Sequence, residues 1–498
     1  MIIVTDSQKL QYELSNVARL FFPSEEMQWV RIGESIDHTQ AVVLPTEQEC
    51  TGGHCLSVTL HLPDGRSLNC SDTLCSSDIN APIELGKLLY RLLSELTGRT
   101  IDWGVLTGIR PVKLARKLRT EGKSPRDIEA VFIEQYLTTQ EKAALCRLTD
   151  EVQQDIVTSA LPRGYSLYIS IPFCPSRCSY CSFVSHSIEK TWKLIPEYLE
   201  KLCDELRKTA KIAEEKGLVL QSVYMGGGTP TVLTASQMEL VLTVVRECFD
   251  LSHCTEFTVE AGRPDTITPD KLEVMRRLGV DRISVNCQTI NDDILESIGR
   301  KHSAKDFFDA YNTVKQFGFT AINVDLIAGL PDDTLQSFQN SLEQVAALSP
   351  DNITVHALTV KRAARLIGNK QTILGTGAEA ESPVSQMISY SQRRLAELGY
   401  VPYYLYRQKG TVDSLENVGF SRKGKECRYN IFIMDETHTI LSVGAGGVTK
   451  LVMQGDSEQY GEENVRIERI FNLKYPYEYM ERFDTMLDRK RSILNFPL

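Results

Sequence analysis

The sequence holds no apolar stretch long enough to span a bilayer, and its opening residues, Met-Ile-Ile-Val-Thr-Asp-Ser-Gln-Lys, lack the basic start and long apolar run of an export signal. A cytoplasmic, soluble protein is expected. Positive charge is in the minority: 55 lysines and arginines stand against 65 aspartates and glutamates, a net charge of −10. An acidic field attracts neither nucleic acid nor an anionic membrane surface, so neither is expected as a general partner, and an anionic ligand must meet a local basic patch. No internal repeat or low-complexity tract is apparent. The 13 cysteines are odd in number and scattered over 498 residues, unlike a disulfide framework. Most read as buried free thiols. The length itself predicts two or three domains.

What is present is a repeated alternation. Short β-branched runs at Ser166–Pro172, Leu220–Met225, Glu256–Glu260, Arg282–Cys287, Ala321–Ile327 and Asn352–Leu358 are separated by longer helical patterns, among them Glu197–Glu215, Ala235–Cys248 and Ala304–Phe317. Six βα units of this kind predict an α/β fold, a partial (β/α)6 TIM-type barrel over residues 161–365, with chemistry at the carboxyl ends of its strands. Residues 1–160 read as a separate N-terminal α/β domain. It has a strand at Ile2–Val4, a hairpin turning at Pro63-Asp64-Gly65, a helix over Glu84–Leu96 and a helical linker over Thr139–Val157. Residues 366–498 read as a C-terminal capping and substrate region, with a helix over Val384–Leu398, the aromatic run Tyr400–Tyr406 and the cluster Gly444-Ala-Gly-Gly447.

Where the first of these strands ends, the chain runs Tyr168-Ile-Ser-Ile-Pro-Phe-Cys-Pro-Ser-Arg-Cys-Ser-Tyr-Cys-Ser-Phe183. Cys174, Cys178 and Cys181 offer three thiolates and no fourth. A closed zinc site needs four ligands, whereas an iron–sulfur cube held by three cysteines leaves one iron open to another ligand. One βα unit later, Tyr224-Met-Gly-Gly-Gly-Thr-Pro-Thr231 places Gly226, Gly227 and Gly228 where a backbone without Cβ atoms can approach a small polar group. Glu260, Gln288 and Asp325 end or interrupt later strands, and a carboxylate such as Asp325 within a β-branched strand is costly unless partnered. Taken alone, Asp325 would read as a structural acid paired to Arg300 or Arg282; taken with Glu260, Gln288 and Arg300 it reads as part of one site.

These motifs resemble the radical S-adenosylmethionine (SAM) superfamily. More closely, the segments Val259-Glu-Ala, Val285-Asn-Cys-Gln288, Gly299-Arg300, Asn323-Val-Asp-Leu-Ile-Ala-Gly-Leu-Pro331 and Gly424-Lys-Glu-Cys-Arg-Tyr-Asn430 resemble the oxygen-independent coproporphyrinogen III oxidases (coproporphyrinogen dehydrogenases). Trp103-Gly-Val-Leu-Thr-Gly-Ile-Arg-Pro-Val-Lys113 is similar to the HemZ-type branch of that family. The resemblance implies a [4Fe–4S] cluster ligated by Cys174, Cys178 and Cys181, with one SAM or two. Tyr168, Tyr180, Gly226, Gly227, Gly228, Thr229, Glu260, Gln288, Arg300 and Asp325 are implied as cofactor-binding residues. Tyr168 and the three cysteines form the implied catalytic group.

The implied reaction needs an electron from a donor such as a flavodoxin or ferredoxin. A radical derived from SAM then takes hydrogen from a propionate β-carbon, and loss of carbon dioxide and one electron leaves a vinyl group. Two such steps turn coproporphyrinogen III into protoporphyrinogen IX in haem biosynthesis. A tetrapyrrole with four carboxylates would meet Lys361, Arg362 and Arg365 beyond the sixth strand, or Arg407 and Lys409 after the tyrosines, where Tyr403, Tyr404 and Tyr406 either stack on the macrocycle or pack the barrel. Two residues depart from the best-known decarboxylases: Ser170 stands where they carry histidine, and Phe183 where they carry an additional cysteine. Relatives without that cysteine include haem-trafficking factors, so haem binding without catalysis, or action on another tetrapyrrole, stays open. In the first domain, Cys50, His54, Cys55, Cys70 and Cys75 cluster. A hairpin brings Cys55 toward Cys75, although the spacing is not a usual zinc pattern.

Overall fold

A computed structural model describes residues 1–23, 25–50, 53–75, 79–181, 185–359, 382–408, 415–455 and 465–498. The chain divides into two compact units. One comprises Met1–Asp150 with the described parts of Leu374–Gln386 and Tyr406–Glu416, and the other comprises the rest of the chain.

The first unit contains strands β1 (Ile2–Val4), β2 (Gln28–Val30), β3 (Val42–Cys50), β4 (Gly53–His61) and β5 (Ser67–Leu74), and helices α1 (Gln8–Phe21), α2 (Ala81–Thr97), α3 (Pro111–Thr120) and α4 (Pro125–Tyr136); α5 (Gln140–Thr158) runs out of it. The sheet order is β2-β1-β3-β4-β5, parallel around β1 and antiparallel from β3 to β5. Alternation decides which face is buried: Leu56, Val58 and Leu60 of β4 point inward onto Leu14, Val17 and Phe21 of α1 and Leu85, Leu88 and Leu89 of α2. The turn between β4 and β5 is held by Gly65, whose φ of 87° needs no Cβ, and by Asp64, which accepts from the Arg66 amide at 3.0 Å. Cys50 and Cys55, read as thiols, are joined in a disulfide across the β3–β4 hairpin, where Cys50 and Gly53 face each other, while Cys75 is an exposed free thiol.

Arg407, expected to meet substrate carboxylates, is instead buried within this unit. It lies over the Trp103 ring at 4.7 Å and donates to the carbonyls of Leu106 and Gly108. Glu416, also buried, accepts from Trp103 Nε1 at 2.7 Å and Lys142 Nζ at 2.6 Å. Burial draws the Arg407 pKa down to about 10 despite the Glu416 carboxylate.

The second unit is built on β6 (Gly164–Ile171), β7 (Val219–Gly227), β8 (Glu256–Glu260), β9 (Arg282–Ser284), β10 (Ala321–Ala328) and β11 (Asn352–Ala357), adjacent in that order and all parallel. Between them lie α6 (Ile195–Glu215), α7 (Ala235–Cys248), α8 (Pro269–Arg277), α9 (Asp292–Ser297), α10 (Ala304–Gln316) and α11 (Leu335–Ala347). This is the partial barrel expected. Buried Leu167, Ile169, Val223, Met225, Val259 and Val324 give its strands the near-continuous apolar character of a covered parallel sheet. The fourth strand is shorter than its apolar run suggested. After Ser284 the backbone leaves the regular ladder, and Gln288 takes a φ of 72° and keeps only a single bridge to Leu326.

Helix α12 (Pro383–Glu397) precedes β12 (Val401–Arg407) and β13 (Glu416–Ser421), of which β13 runs antiparallel beside β11. Helix α13 (Arg428–Asp435) leads to β14 (Thr439–Val443), which pairs parallel with β6, and then to β15 (Val448–Gln454) and β16 (Val465–Phe471). The C-terminal chain therefore extends the barrel sheet at both edges. Tyr403 and Tyr404 are buried as an edge-on pair 4.9 Å apart, packed so closely on Gly419 that a Cβ there would meet the Tyr404 ring at 2.0 Å.

The last helices, α14 (Pro476–Glu481) and α15 (Phe483–Arg491), close onto one buried acid, Glu205 of α6. Its carboxylate accepts from Gly444 N at 2.7 Å, Asn472 Nδ2 at 2.8 Å, Tyr479 OH at 2.7 Å and the Lys490 ammonium. Burial pulls the Lys490 pKa down against the pull of Glu205. Removing one member of a buried ion pair strands the other charge, a loss of about 3–5 kcal/mol. Lys490→Met is expected to destabilise the protein by roughly that amount in urea unfolding, and adding Glu205→Gln to recover part of the loss; a loss in the double variant equal to the sum of the losses in the two single variants would show that the pair is not coupled.

Candidate functional site

The cysteine loop leaves the carboxyl end of β6 and is clamped by backbone. Gly228 N donates to Ile171 O and Thr229 N to Phe173 O, each at 2.8 Å. A Cβ on Gly228 would lie 2.5 Å from Phe173 O, and one on Gly226 would lie 2.7 Å from the Glu260 carboxylate, so the glycines at these places are required by contact. Beyond Cys174 the loop is tied by Ser176 Oγ to Gly299 O at 3.0 Å and by Ser179 N to Ile298 O at 3.0 Å. Phe173 and Cys174 also pair, as a short parallel bridge, with His186 and Ser187.

Cys174, Cys178 and Cys181 are all free thiols; Cys178 is buried and the other two are half-buried. Thr229 Oγ1 lies 3.5 Å from Cys174 Sγ. Burial raises the Cys174 pKa, partly offset by Thr229 and Ser185. Arg300 is buried, donates to Asn286 O at 2.7 Å and Gly262 O at 3.4 Å, and faces both Tyr180 and Cys178, with no hydrogen-bond partner for Nε among the described residues. Burial raises the Tyr180 hydroxyl pKa, opposed by Arg300. Tyr180 packs against Ile294, Leu295, Ile298 and Leu330.

Within the barrel, Glu260 accepts from Tyr224 OH at 2.5 Å. Its pKa is pushed up to about 7, chiefly by burial and further by the Asp325 charge, against the hydrogen bonds from Tyr224 and from the Gly227 amide. Asp325 is half-buried. It accepts from Asn323 Nδ2 at 2.7 Å and lies 3.9 Å from His356 Nε2, so its partner is neither Arg300 nor Arg282. Arg282 donates to Asn352 Oδ1 and Lys425 O instead. Gln288 sits beside Asp325, its amide donating to Asp325 O at 2.9 Å. Tyr168 is parallel-stacked with Tyr224 at 6.1 Å and with Tyr429 at 6.0 Å, and Tyr224 and Tyr429 are 4.4 Å apart.

Tyr168, the cysteines, Tyr180, Gly226–Thr229, Glu260, Gln288, Arg300 and Asp325 thus sit on neighbouring strand ends and the loops that follow them. Lys361, Arg362, Arg365, Lys409 and Phe183 lie outside the described residues. Several participants were missed in the sequence. Tyr224 belongs to the glycine motif and faces Tyr168 in strand register, which only pairing reveals. Tyr429 comes from the remote segment after Cys427. Arg263, buried, donates to Ser176 Oγ at 3.0 Å and holds Asp265; beside it neither ring nitrogen of the buried His302 has a hydrogen-bond partner among the described residues, and its pKa is drawn down to about 3 by burial and by Arg300 and Arg263.

Among the described residues no three His, Cys, Asp or Glu side chains are already gathered around a point that a metal ion could occupy. The residues nonetheless fit an iron–sulfur cluster and SAM. Soft thiols suit iron and sulfide, a buried guanidinium beside Cys178 offsets thiolate charge, and the glycine turn runs past the Glu260 carboxylate and the Phe173 carbonyl so closely that no Cβ fits. Nor is any described helix long and apolar enough to cross a membrane.

Residues 168–345 match the model of the radical SAM superfamily. The oxygen-independent coproporphyrinogen-III oxidase-like protein HemZ of Bacillus subtilis (strain 168) is 39% identical over 80% of this chain and 78% of its own. The heme chaperone HemW of the same organism is 38% identical over 39% of this chain and 51% of its own length. A solved structure of coproporphyrinogen III oxidase (HemN) from Escherichia coli aligns over 68% of this chain and 73% of that one, with a TM-score of 0.49 and 23% identity.

The raised Glu260 pKa gives a test with a defined sign. A carboxyl whose folded pKa lies near 7, above its ordinary value, contributes stability that is complete below the unfolded pKa and lost as pH rises through the folded one. Glu260→Gln is therefore expected to gain on the wild type in urea unfolding as pH rises from about 5 to about 8. A difference independent of pH would show that Glu260 is ionised throughout.

Proposed function

As this chain belongs to the radical SAM superfamily, in the family of HemZ and its HemN- and HemW-type relatives, whose cofactors are a [4Fe–4S] cluster and SAM, we propose that it oxidatively decarboxylates two propionates of coproporphyrinogen III to give protoporphyrinogen IX. The observation that carries this reading is the cysteine loop clamped onto the Gly226–Gly228 turn, together with a relative of oxidase-like name matching along most of both chains.

When bound, the cluster and SAM supply the means to take a hydrogen atom from an unactivated carbon. The chain's own residues do the rest. Cys174, Cys178 and Cys181 hold iron, and Arg300 balances the charge that their ionisation leaves in a buried place. Backbone carbonyls of the Gly226–Thr229 turn would receive a polar group, since the amides of Gly228 and Thr229 are already spent on Ile171 and Phe173. Glu260, held by Tyr224 and the Gly227 amide, is poised near neutrality, so it accepts hydrogen bonds from a cation once ionised. Asp325 and Gln288 present polar atoms from the next strand ends, and Tyr168 and Tyr180 supply apolar walls that keep water from the reacting carbon. No side-chain base is needed for hydrogen abstraction. Electrons come from a carrier such as a flavodoxin or ferredoxin, and the reaction belongs to the cytoplasm.

A second reading, haem binding for delivery, is supported by the 38% identity to a heme chaperone over 39% of this chain. Ser170 is buried, with Oγ bound to Ala445 O at 2.8 Å and the residue pressed against Gly444. Anaerobic incubation of the reconstituted protein with SAM, a chemical reductant and coproporphyrinogen III separates the two. Carbon dioxide and a divinyl product are expected; stoichiometric haem binding without either would overturn the enzyme reading. In the same assay Cys178→Ala is expected to lose iron–sulfur absorbance and SAM cleavage together, and retained cleavage would show the loop to be misassigned.

A further inference from the structure

Ser176 is the middle residue of the three that separate Cys174 from Cys178, and its hydroxyl is used both as donor and as acceptor. Oγ donates to Gly299 O at 3.0 Å and accepts from Arg263 Nη1 at 3.0 Å. The spacer between the two cysteines is therefore held from two sides, by the turn that carries Arg300 and by the loop after β8 that carries Arg263.

A buried guanidinium is costly unless its donors are occupied, and those of Arg263 are. Nε and Nη2 donate to the two oxygens of Asp265 at 3.0 and 3.2 Å, so the planar fork fixes the direction in which Nη1 points. The backbone is held as well. Arg263 O accepts from Thr266 Oγ1 at 2.7 Å and from Thr266 N at 3.0 Å, and Thr266 Oγ1 is bonded at 2.7 Å to Oγ1 of Thr231, the last residue of the glycine motif. Arg263 is thus fixed to the glycine motif on one side and to the cysteine loop on the other, yet the proposed chemistry gives it no part.

Its charge is placed to act on the loop. The Arg263 side chain is 3% exposed and that of Asp265 is 28% exposed, so water screens the carboxylate far more than the guanidinium, and the pair presents a positive field inward. Cys174 feels that field: burial raises its pKa, and Arg263 opposes this alongside Thr229 and Ser185. His302, with Nδ1 4.0 Å from Asp265, is kept neutral by burial and by the two arginines and adds no charge. Two guanidiniums therefore flank the spacer, Arg263 on the Cys174 side and Arg300 beside Cys178. A group held by three thiolates gains negative charge when it takes an electron, and nearby buried cations favour that form.

We propose that Arg263 is a positioning residue of this site: through Ser176 it fixes the spacer between Cys174 and Cys178, and with Arg300 it supplies the positive charge that raises the reduction potential of the group those cysteines hold. This rests on the radical SAM reading of the cysteine loop. Ser176 carries the geometric part of the role and the guanidinium charge carries the electrical part, so the two are separable by substitution.

The test uses the full chain reconstituted with iron and sulfide, without SAM or substrate. In a dye-mediated dithionite titration followed by electron paramagnetic resonance, Arg263→Gln/Asp265→Asn, which strands no charge, is expected to be reduced at a lower potential than the wild type, and Arg263→Gln likewise. Arg263→Lys, which keeps the charge, and Ser176→Ala, which keeps both partners of the ion pair, are expected to stay near the wild-type potential. Iron release to a ferrous chelator is expected to be about tenfold faster in Ser176→Ala and in the double variant. A wild-type potential in the double variant, or an equal fall in Arg263→Lys, would overturn the role of the charge; wild-type iron release in Ser176→Ala would overturn the positioning. A wild-type protein that takes up no iron–sulfur absorbance would overturn the reading of the loop and this inference with it. A wild-type protein that takes up the cluster but forms no divinyl product would overturn the proposed substrate alone, and the potentials would still decide the part played by Arg263.

Discussion

The site depends on a backbone contact at which no Cβ atom fits. Ile171, Phe173, Gly228 and Thr229 bring the ends of the first two barrel strands together through two hydrogen bonds of 2.8 Å, and any side chain on Gly228 would strike a carbonyl 2.5 Å away. That approach fixes where the cysteine loop begins. It also lays the glycine turn alongside the loop, so the places proposed for iron and for a small polar cofactor are set by one constraint.

A second layer holds this contact from behind. Gly444, at φ of 88°, sits where a Cβ would press on Ser170 O at 2.5 Å and on the Tyr198 hydroxyl at 2.6 Å, and its amide is bound by Glu205. Glu205 gathers the Gly444 turn, Asn472, Tyr479 and Lys490, so the last part of the chain braces the first barrel strand. A buried carboxylate with four donors is tolerable because each of its lone pairs is used. At the other end of the strands Glu256 does similar work: it accepts from the amides of Arg428 and Tyr429 at the start of α13, and the tyrosine thus placed completes the stack with Tyr168 and Tyr224.

Ser170 shows how a single departure from better-known relatives acquires a physical setting. Its hydroxyl is bound to Ala445 O, and the residue is wedged between the Gly227 and Gly444 turns, each so near that a Cβ would touch it. A histidine imidazole in that space would require both turns to move. The Gly444 turn and Ser170 are therefore matched to one another, and the difference at this position is a difference in packing beside the loop as well as in chemistry.

Local pattern alone determined much of this protein. Period-2 and period-3.6 runs located the six barrel strands and their crossover helices within a few residues, and the cysteine spacing and glycine triplet marked the site, because these signals lie within one element or one turn. The fourth strand was overextended because the left-handed turn at Gln288 leaves no mark in hydrophobic pattern. Arg407 read as a free cation, since composition cannot show that Trp103 and two carbonyls, some 300 positions away in sequence, enclose it. The disulfide between Cys50 and Cys55 is formed across the β3–β4 hairpin. The partner of Asp325, the tyrosine stack, the Glu205 junction and the hold of Arg263 on Ser176 were decided by tertiary structure alone. Each joins residues distant in sequence, and their contact energies exist only once strand order and register have brought them together.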